Sequence, residues 1–179
     1  SDGKFSVLRA LRFFIEENKQ TVSTHVSPSI ADIRERFWMG DRYLSYQEIK
    51  KKINIIEKLK ISLTIYEVLT LVFLINASNK RTDYVIQEAG CLWRLDSNNV
   101  IDFPLMQIIV NINKQHLNFV KKKTLSEIIK QKVGYLSHFT NIYVGKQKTS
   151  VLRKIKNILK KNNSNIKFSN NWRLEKKKN

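Results

Sequence analysis

Two carboxylates and a lysine, Asp41, Glu48 and Lys50, lie within one short segment and have the residue types that act on phosphate esters. A pair of carboxylates can hold a magnesium ion, which polarises a phosphoryl oxygen. A nearby lysine can stabilise the charge that develops on the attacked phosphate. These three residue types are therefore candidates for chemistry on a phosphate.

The Glu48-Ile-Lys50 segment, with Asp41 before it, resembles the core of restriction-type nucleases, although the resemblance covers three residues only. The resemblance implies a magnesium-dependent nuclease as one hypothesis for the function. In that family the Glu-x-Lys pair lies on a β-strand. Here Ser45 and Glu48 have the Ser-x-x-Glu spacing of a capping box, which predicts that Glu48 caps the start of a helix. The nuclease is therefore the weakest of three functional hypotheses.

The other residue types that could do chemistry are scattered. His25, His116 and His138 lie in separate segments without a cysteine or carboxylate at metal-ligand spacing, and the single cysteine, Cys91, cannot form a zinc site alone. The sequence contains neither a Walker-type phosphate loop nor a Gly-x-Gly-x-x-Gly motif. We therefore predict a protein that is not an enzyme, with no catalytic residues, metal or cofactor.

Positive charge is the strongest functional signal in the sequence. The formal net charge is +18, and residues 120–179 hold 15 lysines and two arginines against Glu127 and Glu175, which gives 17 minus 2, or +15. A surface this basic attracts polyanions, nucleic acid first and acidic membrane surfaces second. Lysine suits phosphates more than base edges, so we predict binding of DNA or RNA through the phosphate backbone with little sequence preference.

The predicted nucleic-acid-binding residues are cations of this lysine-rich region and two aromatic residues that could stack on unpaired bases. They are Lys121, Lys122, Lys123, Lys146, Lys148, Arg153, Lys154, Lys156, Lys160, Lys161, Lys167, Phe168, Trp172 and Arg173. The predicted partners are nucleic acid, an anionic membrane surface, or other proteins of a nucleoprotein assembly. No secretory signal precedes the first helix, so we expect an intracellular, nucleoprotein-associated location.

The second hypothesis is a membrane-surface or matrix-like structural protein that uses the amphipathic helix predicted for residues 149–161. Val151, Leu152, Ile155, Ile158 and Leu159 share one side of that helix. The apolar side holds no aromatic residue, so it would enter a bilayer only shallowly. A titration with duplex DNA, single strands, RNA and anionic vesicles separates this hypothesis from the first.

The segments around the basic region predict a helical fold. Residues 61–77 form the most apolar stretch, which predicts a buried central helix capped by Ser62, with neighbours on every side. Further helices are predicted for residues 4–18, 28–38, 82–89, 125–140 and 149–161, and for segments that begin at Tyr46 and Pro104. Residues 21–26 predict a polar loop, and Ser27-Pro28 after it predicts the start of the helix at 28–38. Two apolar runs around residues 96–99 predict a small β-hairpin.

The helices and hairpin of residues 46–103 have the order of a winged helix-turn-helix, with residues 82–89 as the helix that enters the DNA groove. We predict a mainly α fold: a single helical domain of six or seven helices, one small β-hairpin as a winged-helix element, and a basic C-terminal extension. The predicted boundaries are a helical core at 1–145 and a basic amphipathic helix and tail at 146–179. The predicted core consists of Leu63, Tyr66, Leu69, Phe73 and Leu74 with Leu8, Leu11, Ile53, Ile56 and Ile109.

Overall fold

A computed structural model describes residues 3–169, which form two compact units that meet at the Gly90–Cys91 bond in the sequence. Each unit has one three-stranded sheet that contains parallel strands. The prediction of a single, mainly helical domain is therefore wrong, because the chain is a mixture of helices and sheets. The predicted domain boundary near residue 145 stays a prediction.

The first unit begins with a helix and places a mixed sheet beside two further helices. The sheet has the order β2-β1-β3, with β2 antiparallel to β1 and β3 parallel to it. A short 3-10 helix, Ile33–Arg36, comes directly before β2. The elements are α1 (Lys4–Glu17), β1 (Val22–His25), β2 (Phe37–Met39), α2 (Tyr46–Glu57), α3 (Ile65–Lys80) and β3 (Tyr84–Gln87).

Helix α3 confirms the predicted central helix, but it begins at Ile65, two residues later than predicted. Thr64, not Ser62, caps it: the Thr64 hydroxyl accepts from the Glu67 N–H, and the Glu67 carboxylate accepts from the Thr64 N–H at 2.7 Å. Phe73 is fully buried in the apolar cluster of this unit. Other predicted core residues in this cluster are buried (Leu69, Ile56) or half-buried (Leu63, Leu74, Ile53).

Three predicted elements of the first unit are wrong. Residues 21–26, predicted as a polar loop, contain β1, whose four residues are all buried although three of them are polar. The helix predicted for residues 28–38 is a loop, the 3-10 helix and β2, and the helix predicted for residues 82–89 is replaced by β3. Short buried strands carry no alternating pattern, so their periodicity in the sequence does not distinguish them from helices or loops.

The second unit is a parallel sheet of order β4-β5-β6 with helical crossovers. Its core consists of apolar residues from β5, α4 and α5, with Ile142, Ile128 and Ile155 fully buried. Ile109, predicted to pack with α3, lies in this cluster instead. The elements are β4 (Met106–Ile109), α4 (Leu125–Val133), β5 (Asn141–Val144), α5 (Thr149–Leu159) and β6 (Asn165–Phe168).

Helix α5 confirms the amphipathic helix predicted for residues 149–161, since Val151, Ile155 and Leu159 are buried on one side. The hairpin predicted around residues 96–99 is wrong, because residues 91–103 contain no strand, and the helix predicted from Pro104 is replaced by β4. Without the hairpin and the helix at 82–89, the winged-helix element is absent from the described residues. No helix within residues 3–169 is long and apolar enough to cross a membrane.

Candidate functional site

The candidate site of the first unit lies where the parallel strands β1 and β3 end. Because these strands run in the same direction, the residues that follow them lie at one edge of the sheet, which is where open α/β sheets bind ligands. Glu88 follows β3, and its backbone N–H donates to the carbonyl of His25, the last residue of β1, at 2.9 Å. We call Gly3, Lys4, Ser27 and Glu88 the Lys4–Glu88 site.

Glu88 is a carboxylate in an unusual place, because its side chain is only 2% exposed. Its Oε2 accepts from the backbone N–H of Ser27 at 3.1 Å, and its Oε1 lies 4.0 Å from the ammonium of Lys4. Burial raises the pKa of Glu88, while the Ser27 N–H and the charges of Lys4 and Arg36 oppose the rise. A buried carboxylate with a raised pKa beside a cation marks a functional-site candidate.

The N-terminus of α1 lies at this same edge through Lys4. Gly3 is the N-cap residue and has a left-handed backbone with φ of 90°, which favours glycine, and no side chain caps the helix. The first N–H groups of a helix have no partner inside the helix, and together with the helix dipole they favour an anion there. A glycine, a lysine and a helix N-terminus beside a parallel strand pair form a site that suits phosphate.

The segment between β1 and β2 frames the site from one side. It begins with a cis peptide bond between Ser27 and Pro28 and is held by its own carboxylates. Glu35 accepts from the N–H of Ile30 at 2.7 Å, and Asp32 accepts from the N–H of Arg34 at 2.8 Å. The Arg34 guanidinium, with lesser contributions from the Arg34 N–H and Tyr46, holds the pKa of Asp32 at about 2.

A cavity of about 310 Å³ lies between this segment and α1. It adjoins the Lys4–Glu88 site, since Val26 and Pro28, on either side of Ser27, both line it. The other lining residues are Phe5, Leu8, Arg9, Arg12, Thr24, Ile30, Glu35 and Tyr43. The first unit thus has room for an organic ligand next to its buried carboxylate.

The residues predicted to bind nucleic acid lie in the second unit and do not converge on one place. The lysines and Arg153 are all exposed, in loops, on the outer side of α5 or on β6. Phe168 is half-buried against the core of the unit, with the ammonium of Lys156 5.0 Å from its ring centroid, so the ring packs within the unit. Trp172 and Arg173 lie outside the described residues.

The residues of the nuclease hypothesis have structural roles. Glu48 is the third residue of the capping box of α2, and its carboxylate pairs with Arg42 at 2.7 Å. Asp41 pairs with Lys80 at 2.9 Å. Neither carboxylate lies on a strand, and within residues 3–169 no group of three or more His, Cys, Asp or Glu residues could hold a metal ion.

The histidines also differ in their surroundings. His25 is fully buried, with its ring stacked on those of Phe37, Phe73 and Tyr66 at centroid distances of 5.6, 5.0 and 6.2 Å. His116 and His138 belong to the second unit. The ring of His116 is tilted against that of Phe119, and the ring of His138 against that of Phe139. His25 therefore contributes to packing beneath the site edge.

None of the four residues of the Lys4–Glu88 site was predicted as a site residue from the sequence. Glu88 was assigned to a DNA-reading helix, and Ser27-Pro28 was interpreted as a helix start, because β1 and β3 had not been recognised. One signal was available, since Gly3-Lys4 comes directly before an amphipathic helix, as the end of a phosphate loop does. The role of Glu88 depends on its place in the fold, so no pattern in the neighbouring sequence indicates it.

Comparison with known proteins gives one consistent match. No family model matches the chain. The chain is 30% identical over 145 residues to the dihydrofolate synthase/folylpolyglutamate synthase of Bacillus subtilis (strain 168), a match that covers 76% of this chain and 33% of that protein. The chain spans about a third of the length of this relative and of a second one with the same name, from Buchnera aphidicola subsp. Schizaphis graminum (strain Sg).

Two solved structures agree with this match. One is Escherichia coli FolC in complex with DHPP and ADP, with a TM-score of 0.85 at 22% identity over 94% of this chain and 40% of that one. The other is the bifunctional folylpolyglutamate synthase/dihydrofolate synthase of Yersinia pestis with AMPPNP and a Mn ion, with a TM-score of 0.83 at 23% identity and the same coverage. This chain has the fold of part of a synthase.

This match overturns the functional predictions. The similar proteins are enzymes, and the ligands named with their structures are nucleotides, a metal ion and DHPP, not nucleic acids. The prediction of a nucleic-acid-binding protein that is not an enzyme is therefore wrong, together with its membrane-surface and nuclease alternatives. The physical reason is that lysine-rich composition attracts polyanions in general and does not require that one be bound.

Proposed function

We propose that this chain forms the nucleotide-binding part of an enzyme of the dihydrofolate synthase/folylpolyglutamate synthase type. The observation that carries the proposal is the buried carboxylate of Glu88 between the Ser27 N–H and the Lys4 ammonium, at the N-terminus of α1. The similarity to synthases whose structures hold ADP, or AMPPNP with Mn, supports it. An intracellular location agrees with the use of a nucleotide.

Each residue of the site has a role that follows from its chemistry. The backbone N–H groups at the start of α1 and the ammonium of Lys4 would hold phosphoryl oxygens. Glu88 and Ser27 offer oxygen atoms, the donors that Mg²⁺ and Mn²⁺ prefer, and a nucleotide complex needs only one or two protein carboxylates because the phosphates complete the coordination. The bound metal would neutralise phosphate charge and polarise a phosphoryl oxygen.

The reaction class follows from the names of the relatives. Joining glutamate to a folate requires an amide bond, and a carboxylate forms one readily only after its oxygen has been converted to a leaving group, as phosphorylation does. In this scheme Lys4 and the N-terminus of α1 orient the phosphates and stabilise the charge on them, which lowers the barrier to their transfer. The folate and glutamate substrates are part of this proposal.

Titration of the full chain with AMPPNP tests the proposal, with and without Mn²⁺, in wild type, Glu88→Gln and Glu57→Gln. Glu57 ends α2 and is exposed, so Glu57→Gln is the matched control for loss of one carboxylate. We expect Glu88→Gln to weaken Mn-dependent binding about tenfold or more, with little change in metal-free binding. The proposal fails if the wild type does not bind AMPPNP, or if Glu88→Gln binds as tightly as the wild type in Mn²⁺.

A further inference from the structure

The cavity between α1 and the segment after β1 extends away from the Lys4–Glu88 site. Arg12 lines it from α1 and Thr24 lines it from β1. Arg12 follows Lys4 by eight residues in the same helix, which is a distance of about 12 Å along the helix axis. A ligand held by Arg12 is therefore a different ligand from the phosphates proposed for the start of α1.

The size of the cavity limits its occupant to a small molecule. Its volume of about 310 Å³ is at the lower end of the range of about 300 to 1,000 Å³ for ligand pockets. Water occupies about 30 Å³ per molecule in the liquid, so this volume corresponds to about ten waters, enough for one aromatic ring with one substituent but not for a nucleotide. Six of the ten lining residues are apolar or aromatic: Phe5, Leu8, Val26, Pro28, Ile30 and Tyr43.

Arg9 presents an open guanidinium to this cavity. The residue is exposed, and its Cζ lies 5.5 Å from the centroid of the Phe5 ring, which also lines the cavity. No hydrogen bond or ion pair in the described part of the chain involves the Arg9 side chain. Its N–H donors are therefore available to an anion, directly beside an apolar wall.

Arg12 adds a second guanidinium, which is held in place. Its Nε donates to Oε1 of Glu16 at 2.8 Å, and its Cζ lies 3.4 Å from the centroid of the Trp38 ring. Its two Nη groups have no acceptor among residues 3–169, and both retain accessible surface. Because Glu16 and Trp38 fix the guanidinium, it loses little side-chain freedom when it binds an anion.

Thr24 contributes a buried hydroxyl near Arg12. Thr24 is 3% exposed, and its hydroxyl takes part in no hydrogen bond within the described ranges. Trp38, which carries the Arg12 guanidinium on its ring, is the partner of Thr24 across β1 and β2, so their side chains lie on the same face of the sheet. A buried hydroxyl without a partner costs free energy, and a ligand oxygen beside Arg12 would supply the missing bond.

The carboxylates of this region already have partners. Glu16 is paired with Arg12, and Glu35, the one acidic residue that lines the cavity, accepts from the backbone N–H of Ile30 at 2.7 Å. Arg9 is thus left without a counter-charge among residues 3–169. One further negative charge would complete the cavity.

We propose that this cavity binds a small aromatic carboxylate, with its ring against the apolar wall and its carboxylate oxygens bonded to Arg9, Arg12 and the Thr24 hydroxyl. The planar fork of arginine matches the two oxygens of a carboxylate, and such charge-assisted bonds are stronger than neutral ones. The inference goes beyond the proposed function, because it concerns a second ligand and holds whether or not the chain binds a nucleotide.

Three ligands of one shape test the need for negative charge on the unaltered full chain. They are benzoate, the neutral benzamide and the positively charged benzylamine, each titrated with ligand-observed NMR. We expect benzoate to bind with a dissociation constant of about 1 mM or less, as a well-placed ligand of this size can. Benzamide should bind at least about tenfold more weakly, as for lost bonds to a charged group, and benzylamine more weakly still.

Two variants locate the bound carboxylate. Arg9→Gln should weaken benzoate binding about tenfold or more, whereas Arg94→Gln should leave it unchanged. Arg94 is the matched control, because it is also exposed and its Cζ lies 5.2 Å from the ring centroid of Tyr135, in the second unit. Thr24→Val should weaken benzoate binding about three- to tenfold, and its ligand-free melting temperature should equal or exceed that of the wild type, since an unpaired hydroxyl adds no stability.

Three results would overturn the inference: benzoate does not bind the wild type at about 10 mM, benzamide binds as tightly as benzoate, or Arg9→Gln binds benzoate as tightly as the wild type. A parallel titration with AMPPNP separates this inference from the proposed function. If benzoate binds as expected and AMPPNP does not bind, the carboxylate site stands and the nucleotide proposal fails.

Discussion

Replacing Phe73 by alanine measures how far the first unit depends on α3. The ring is fully buried and stacks on His25, beneath the edge that carries Glu88. Removing it forfeits about 2 kcal/mol of transfer free energy and opens a cavity of about 100 Å³, which adds about 2 kcal/mol more. We therefore expect the free energy of unfolding of this unit to fall by about 4 kcal/mol.

The assay must report on the first unit alone, since the chain divides into two compact units and Phe73 lies in the first. Trp38 follows Phe37 in β2, so its fluorescence serves after Trp93 and Trp172 have been changed to phenylalanine. Urea denaturation of Phe73→Ala in this background is compared with Phe14→Ala, because Phe14 is 66% exposed and its loss should change stability by less than about 0.5 kcal/mol. A loss below about 1 kcal/mol for Phe73→Ala would refute the role given to this core.

Three further predictions concern the titration of two carboxylates and the cap of α3. Burial raises the pKa of Glu88, so the stability that the protonated Glu88 contributes is complete below the pKa of an unfolded glutamate. That contribution is lost as the pH rises through the raised pKa. Glu88→Gln should therefore gain stability relative to the wild type as the pH increases. The pKa shift of Glu48 has the opposite sign, since Arg42 and then the Ser45 N–H lower its pKa to about 2. Glu48→Gln should therefore be less stable than the wild type near neutral pH, and the difference in stability should become smaller as the pH falls toward about 2. Melting temperatures between about pH 3 and about pH 8 check both, and equal slopes for the two variants would contradict the assignment. Thr64→Ala should cost about 1 kcal/mol in urea denaturation because it removes the cap of α3, whereas Ser62→Ala should cost almost nothing; the reverse order would show that the helix starts earlier.

Helices with local signals were predictable from the sequence. The capping box of Ser45 and Glu48 gave the start of α2, and the five apolar residues of α5 gave its buried side, because both patterns arise within one or two turns. The central helix α3 was found from its apolar length. Its cap was misplaced by two residues because Ser62 and Thr64 are both good N-cap residues, and only Thr64 has Glu67 three positions on.

The strands and the site were not predictable in the same way. β1 reads Val-Ser-Thr-His, which looks like a polar loop. It is nevertheless buried because it is the central strand, between β2 and β3, and β3 comes from a distant part of the chain. β4 reads Met-Gln-Ile-Ile, which fits a helix as well as a strand. Glu88 and Lys4 meet only once β1 and β3 pair in parallel, so recognition of the site had to wait for the sheet.

Several exposed lysines of the second unit lie on or just before the edge strand β6. Among the described strands, β6 borders its sheet and pairs with β5 only, so its other backbone groups are a template for a strand of another molecule. Lys167 is exposed on this border strand, and Lys160 and Lys161 are exposed just before it. Two copies that approach edge to edge along β6 would bring like charges together, so these lysines oppose pairing between copies at this strand.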